Sequence, residues 1–172
     1  MQIIKLKKTK STLDRVKRLL KKSARTREDV IVVTRSVARG KGLFLKADKS
    51  SLGGVYLSYL HFYTATKKRS LADLMQAAAQ AVINTLIAFG VKVEADSEGV
   101  ILASGKKIGE IFIEPAFLGD YLDYTVVTIN LNVNNDILSD GERCLTSVKQ
   151  ITGDEVNVQN VVFTLYYNLQ QA

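Results

Sequence analysis

Apolar positions along the chain recur with two periods. Leu13, Val16, Leu19 and Leu20 share one face at helical spacing, and lysines and arginines fill the other, so "STLDRVKRLLKKSA" reads as an amphipathic helix. Ser11 with Asp14 three residues on forms a capping box at its start, and "IIKL" before it reads as a short strand. "DVIVVT" is apolar without alternation, the pattern of a strand covered on both faces. "GGVYLSYLHFYT" is a longer strand, rich in β-branched and aromatic residues. The longest helix is "SLADLMQAAAQAVINTLIAFG", opened by a Ser70/Asp73 capping box and ended at Gly90, its alanines suited to close packing on a sheet. "VKVEAD", "GVILA" and "KKIGEIFIE" are three short strands separated by the turn signals "DSEG" and "SG". "YTVVTINLNVN" is a further strand. "TSVKQITG" is a short helix stopped by Gly153, and "NVQNVVFTLYYNLQ" is a closing helix with Asn157 as N-cap. The order is β-α-β-β-α-β-β-β-β-α-α. Short connections predict an α+β fold, a mixed and largely antiparallel sheet with helices packed on one face.

With 172 residues, a single proline (Pro115) and no low-complexity linker, the chain reads as one domain, residues 1–172. Hydrophobic residues make up 47% and charged residues 24%, which excludes a disordered class. One cysteine, Cys144, excludes an intrachain disulfide and a cysteine metal cluster, and a reducing, cytoplasmic setting is the default. No apolar run is long enough to span a bilayer, so no membrane partner is expected. The formal net charge is +7, and eleven Lys and Arg fall within the first 27 residues. They are read first as the solvated face of the first helix, and otherwise as a surface for nucleic acid, an acidic protein or a phosphate-bearing ligand. The chain has no interleaved basic and aromatic pattern, so nucleic acid is not expected as a partner.

The chemistry concentrates in "TRSVARGKGLFLKADKSSLGGVYLSYL", where Arg35, Arg39 and Lys41, with Gly40 and Gly42, separate two buried strands. Glycines let backbone approach a ligand and cations pair with carboxylate or phosphate oxygens; the plain alternative is an exposed basic loop. His61 is read as a packed strand histidine, Cys144 as a buried thiol, and Tyr56, Tyr59, Tyr166 and Tyr167 as packing residues. Glu94, Asp96 and Glu98 are read as a solvated turn, with no metal site assigned.

Five segments in order carry a resemblance. They are "KSTLDRVKRLL", "TRSVARGKG" with "GGVYLSYL", "GKKIGEIFIE", "VVTINLNVN" and "CLTSVKQITGDEVNVQNVVFTLYYNL". Together they resemble the catalytic domain of biotin protein ligases, within the class II aminoacyl-tRNA synthetase/biotin ligase-like fold, with degenerate motifs. The resemblance implies ATP, biotin and Mg2+ as cofactors. It implies formation of biotinyl-adenylate and transfer of biotin to a lysine on the carrier domain of a carboxylase, with a homodimer possible through a sheet edge. The alternative is a ligase homologue that has lost catalysis and binds a ligand or partner.

Position by position, Arg39 and Lys107 fall on the residues expected to be catalytic. Lys107 falls on the lysine that meets ligand carboxyl and phosphate oxygens, and Lys41 on the loop's second arginine. Ser11 and Thr12 fall at the biotin ring end, Gly40 in the loop, and Asn132 near the metal-triphosphate region. Departures are equally specific. Arg35 replaces a glutamine and Ala38 a glycine. Thr128 and Asn130 replace two glycines that make room for the ligand, and Glu110 replaces the glycine of the lysine hairpin. The family's Lys-Trp-Pro-Asn-Asp segment should fall around Lys92 to Val100, which here has neither tryptophan nor proline. The small C-terminal barrel of many ligases is expected to be absent.

Overall fold

The computed structural model describes residues 2–35, 37, 53–64, 69–136 and 144–171. Its elements follow the predicted order: β1 (Gln2–Leu6), α1 (Thr12–Thr26), β2 (Val30–Thr34), β3 (Val55–Phe62), α2 (Leu71–Ala88), β4 (Glu94–Ala95), β5 (Val100–Ala103), β6 (Lys106–Leu118), β7 (Tyr121–Leu131), α3 (Val148–Thr152) and α4 (Val158–Gln171). One seven-stranded sheet runs β1-β2-β3-β7-β6-β5-β4. Among the described strands only β1 and β2 pair in parallel, because α1 crosses over between them; the other neighbouring strands are antiparallel. The α+β class and mixed, largely antiparallel sheet are therefore as the sequence predicts.

The helices do not share one face, and here the expectation is corrected. β2 is buried along its whole length and offers an apolar row to each side. Ile31 and Val33 join Leu57, Ile111 and Ile129 under α2 and α4. Val30 and Val32, with Leu60 and Val126, receive Leu13 and Val16 of α1 on the opposite side. A doubly apolar strand leaves the face of its neighbouring helix open, so the pattern alone could not choose.

Local signals behave largely as read, with one half of the expected capping box seen at α1. Ser70 and Asp73 form the reciprocal capping box of α2, and Asp14 N–H donates to Ser11 Oγ at 3.1 Å. Gly153 ends α3 in the left-handed region at φ +86°, where glycine avoids a steric cost. By length and composition α2 could cross a bilayer, which corrects the expectation that no apolar run is long enough. Here it packs as a core helix, with Leu74, Ala78, Ala81, Val82 and Leu86 buried.

The start of β2 is tied to the end of β3 by Asp29. Its carboxylate accepts from Phe62 N–H at 3.0 Å and Tyr59 O–H at 2.9 Å, and lies 2.8 Å from His61 Nδ1. His61 is thus a packed strand residue, as expected. Burial pushes the Asp29 carboxyl up, but the contacts with His61, Phe62 N–H and Tyr59 outweigh it and hold it below the ordinary value. Burial, with Asp29 beside it, pushes the Tyr59 hydroxyl up. A lowered folded-state pKa stabilises above the unfolded value of about 3.9, and that stability is lost as pH falls through the folded value. Asp29→Asn should therefore lower Tm at neutral pH, and the gap to the parent should close below about pH 4. Thermal melts across pH check this; a gap independent of pH would show that the charge is not its source.

Candidate functional site

The polar side chains gather on the α1 face of the sheet. Register sets them in two rows. Tyr56 pairs with Asn130 and Asn130 with Glu110; Ser58 pairs with Thr128 and Thr128 with Phe112. Ser58, Thr128, Asn130 and Glu110 are buried, as is Thr12 at the start of α1. Ser58 Oγ donates to Thr12 Oγ1 at 2.8 Å and lies 2.9 Å from Thr128 Oγ1, so the hydroxyls form a chain from helix to sheet. A cavity of about 630 Å³ opens beside them, lined among others by Ser11, Thr12, Val37, Tyr56, Thr128 and Asn130.

At the end of this face sits a buried ion pair. Lys107 Nζ lies 2.6 Å from Glu110 Oε2, with side chains 10% and 4% exposed. Asn130 Nδ2 donates to Glu110 Oε1 at 3.1 Å. Residues three apart on a regular strand point to opposite faces. β6 escapes that rule through a bulge: Ile101 pairs with Gly109 and Leu102 with Lys107, which leaves Ile108 over and returns Lys107 and Glu110 to one side. Gly109 must be small here, because a Cβ would lie 2.5 Å from Leu131 Cδ2 and 2.9 Å from the Asn130 carbonyl oxygen. Burial pushes the Tyr56 hydroxyl up against its hydrogen bond with Asn135, and the nearby Glu110 carboxylate adds to the rise.

Of the residues singled out from the sequence, Ser11, Thr12, Thr128 and Asn130 line this cavity, and Lys107 joins them through Glu110 and Asn130. Asn132 is buried but serves the backbone. Its amide donates to the Thr146 carbonyl at 3.1 Å and holds the segment after Cys144 against β7. Arg35 is exposed and lies elsewhere, on a separate cavity of about 330 Å³ between β1, β2 and α4 on the opposite face. Arg39, Gly40 and Lys41 lie outside the described residues, as does Ala38. Cys144 is exposed rather than buried, because its stretch runs along the edge of the lysine hairpin, where its carbonyl accepts from Lys107 N–H at 2.8 Å.

Sequence reasoning treated Glu110 only as a lost glycine and missed Ser58. The alternation of β3 and β7 would have put Ser58 beside Thr128; the bulge behind the Glu110 contact left no mark beyond "KKIG".

Among the described residues no group of three His, Cys, Asp or Glu side chains could hold a metal ion. Asp96 Oδ1 instead accepts from the N–H groups of Glu98 and Val100, both at 2.9 Å, and shapes the turn. These residues do not fit a resident Mg2+, so no step is assigned to it. Lys107, the cation expected on ligand phosphate, is held by Glu110, and Lys10 is the one cation among the described cavity-lining residues.

No protein-family model matches the chain. Solved structures do. A biotin protein ligase from Aquifex aeolicus in complex with biotin and ATP superposes with TM-score 0.73 at 20% identity, covering 99% of this chain and 69% of that one. A biotin protein ligase from Leishmania major in complex with biotin gives TM-score 0.74 at 18% identity, covering 97% and 72%. P. falciparum LipL1 in complex with lipoate gives 0.63 at 9% identity, covering 99% and 62%.

Removing one member of a buried ion pair strands the other's charge, at a cost of about 3–5 kcal/mol. Lys107→Met should lose about that much stability in urea unfolding, and Lys107→Met with Glu110→Leu should recover most of it. Additive losses would show that the two side chains do not depend on one another.

Proposed function

We propose that this chain, which has a biotin/lipoate ligase-like fold, holds a biotin- or lipoate-like acyl group in the cavity beneath α1 and serves its attachment to a carrier lysine. The observation that carries this reading is the cavity itself, walled by Ser11, Thr12, Thr128 and Asn130 on a sheet that matches ligases over nearly the whole chain. Its volume of about 630 Å³ lies within the usual range of small-molecule sites, and its wall combines apolar area with a few fixed hydroxyl and amide groups. In its finer form the reaction is biotin–[acetyl-CoA-carboxylase] ligation: biotin and ATP give biotinyl-adenylate and pyrophosphate, and the lysine amine of the biotin carboxyl carrier domain attacks the acyl carbon, forming the amide and releasing AMP. The solved relatives with biotin, or biotin and ATP, bound support the choice of cofactors. A cytoplasmic location and a homodimer belong to the same reading.

A second reading has its own support. The pair of Lys107 with Glu110, locked by Asn130, occupies the cation expected to meet ligand oxygens. This favours a binding module that holds an acyl ligand or a modified carrier without activating the acid.

Incubation with biotin, ATP, Mg2+ and a carrier domain separates the two. The ligase reading expects pyrophosphate release and a biotinylated carrier lysine by mass spectrometry, with Thr12→Val and Thr128→Val each lowering apparent affinity for biotin about 3- to 30-fold through loss of a buried hydroxyl contact. Biotin or lipoate binding in calorimetry without pyrophosphate release supports the second reading, and no binding of either removes both.

A further inference from the structure

We infer that Glu110 sets specificity from behind the cavity wall: it holds Lys107, the cation that the resemblance sets against a ligand's acid group, and reaches the wall through Asn130, so the cavity takes an uncharged acyl derivative, an amide or ester, in preference to the free acid. The inference rests on the cavity being the acyl site, the premise common to both readings above.

Both Glu110 oxygens are engaged, Oε2 by Lys107 Nζ at 2.6 Å and Oε1 by Asn130 Nδ2 at 3.1 Å. The partner that reaches into the cavity wall is Asn130. A free carboxylate arriving at this end must therefore displace an intramolecular carboxylate. The tethered group has an effective concentration that a dissolved acid at millimolar level does not match. Binding beside Glu110 rather than in its place would set two carboxylates around one ammonium, and like charges at such distance resist joint ionisation. An amide or ester meets neither obstacle. It brings no charge to a buried site whose cation is already neutralised, and its carbonyl can accept from the hydroxyls that line the wall. The rim does not reverse this preference. Its described charges are Lys10 against Asp14, Glu98 and Glu114, and Glu114 is paired with Lys17 at 2.6 Å. Glu114 is half-buried and the others are exposed and screened, so the buried pair dominates.

The test compares acid with amide: biotin against biotinamide and octanoate against octanamide, by calorimetry, on the parent protein, Glu110→Gln and Glu110→Gly. The parent should bind each amide more tightly than its acid. Both variants should raise the acid-to-amide affinity ratio about tenfold or more, Glu110→Gly the further of the two. If Glu110→Gln is too unstable for titration, thermal shift gives the same comparison. The acid then raises Tm by supplying the missing charge, and the amide does not. An unchanged ratio in both variants, or no binding of either ligand form to any of the three proteins, overturns the inference. Pyrophosphate release is scored separately on the same samples. A shifted ratio without turnover leaves the inference standing and the ligase reading lost; turnover with an unshifted ratio does the reverse.

Discussion

The buried contact of Lys107 with Glu110 constrains everything around it. Two opposite charges nearly excluded from water cannot be left half made, since either one alone would carry a desolvation penalty of several kcal/mol. The contact exists only because β6 carries one residue more than β5 requires between Gly109 and Lys107. That bulge in turn needs a position without a Cβ, which Gly109 provides against Leu131 and the Asn130 carbonyl. Glu110 then reaches Asn130 on the neighbouring strand, and the network is carried from the hairpin into the wall of the cavity.

The two faces of the sheet divide the work. Under α2 and α4 the side chains are almost wholly apolar, Leu57, Ile111, Ile129 and Leu131 among them, and this dry layer supplies the bulk of the burial that holds the fold. On the α1 side the apolar cluster is small and sits near β2, with Val30, Val32, Leu60 and Val126. Beyond it the same strands turn polar: Ser58 lies two residues before Leu60, and Thr128 two after Val126. α1 covers the Val30, Val32 and Leu60 cluster through Leu13 and Val16, and the polar area beside it, with Thr128 and Asn130, lines the cavity.

Much of this was legible in the sequence, and the parts that were not share a cause. Element order, the α2 capping box, the Gly153 stop and the burial of β2 followed from periodicity and local turn chemistry, which depend on neighbours in the chain. The face chosen by α1, the exposure of Cys144 and the place of Arg35 depend on how distant elements meet. Thr128 and Asn130 could be set on one face because a strand alternates regularly, and Thr12 was named through the resemblance; all three line the cavity. The Glu110 contact defeated the same rule, since spacing of three on a strand argues against it and only the bulge restores it.

Three positions where small residues were expected carry larger polar ones here, and their arrangement argues against simple decay. A pocket losing its ligand by random substitution would accumulate buried groups without partners. Instead Thr128 sits at 2.9 Å from Ser58, Asn130 donates to Glu110, and Glu110 is met by Lys107. Among the described residues only Arg15 Nε, on α1, is a buried side-chain polar atom with no partner. Each replacement is answered by another side chain on the same face, two of the three by one another. Such mutual satisfaction is the mark of a surface that keeps one shape, and a surface kept in shape while its cation is neutralised is suited to a guest that arrives without a charge.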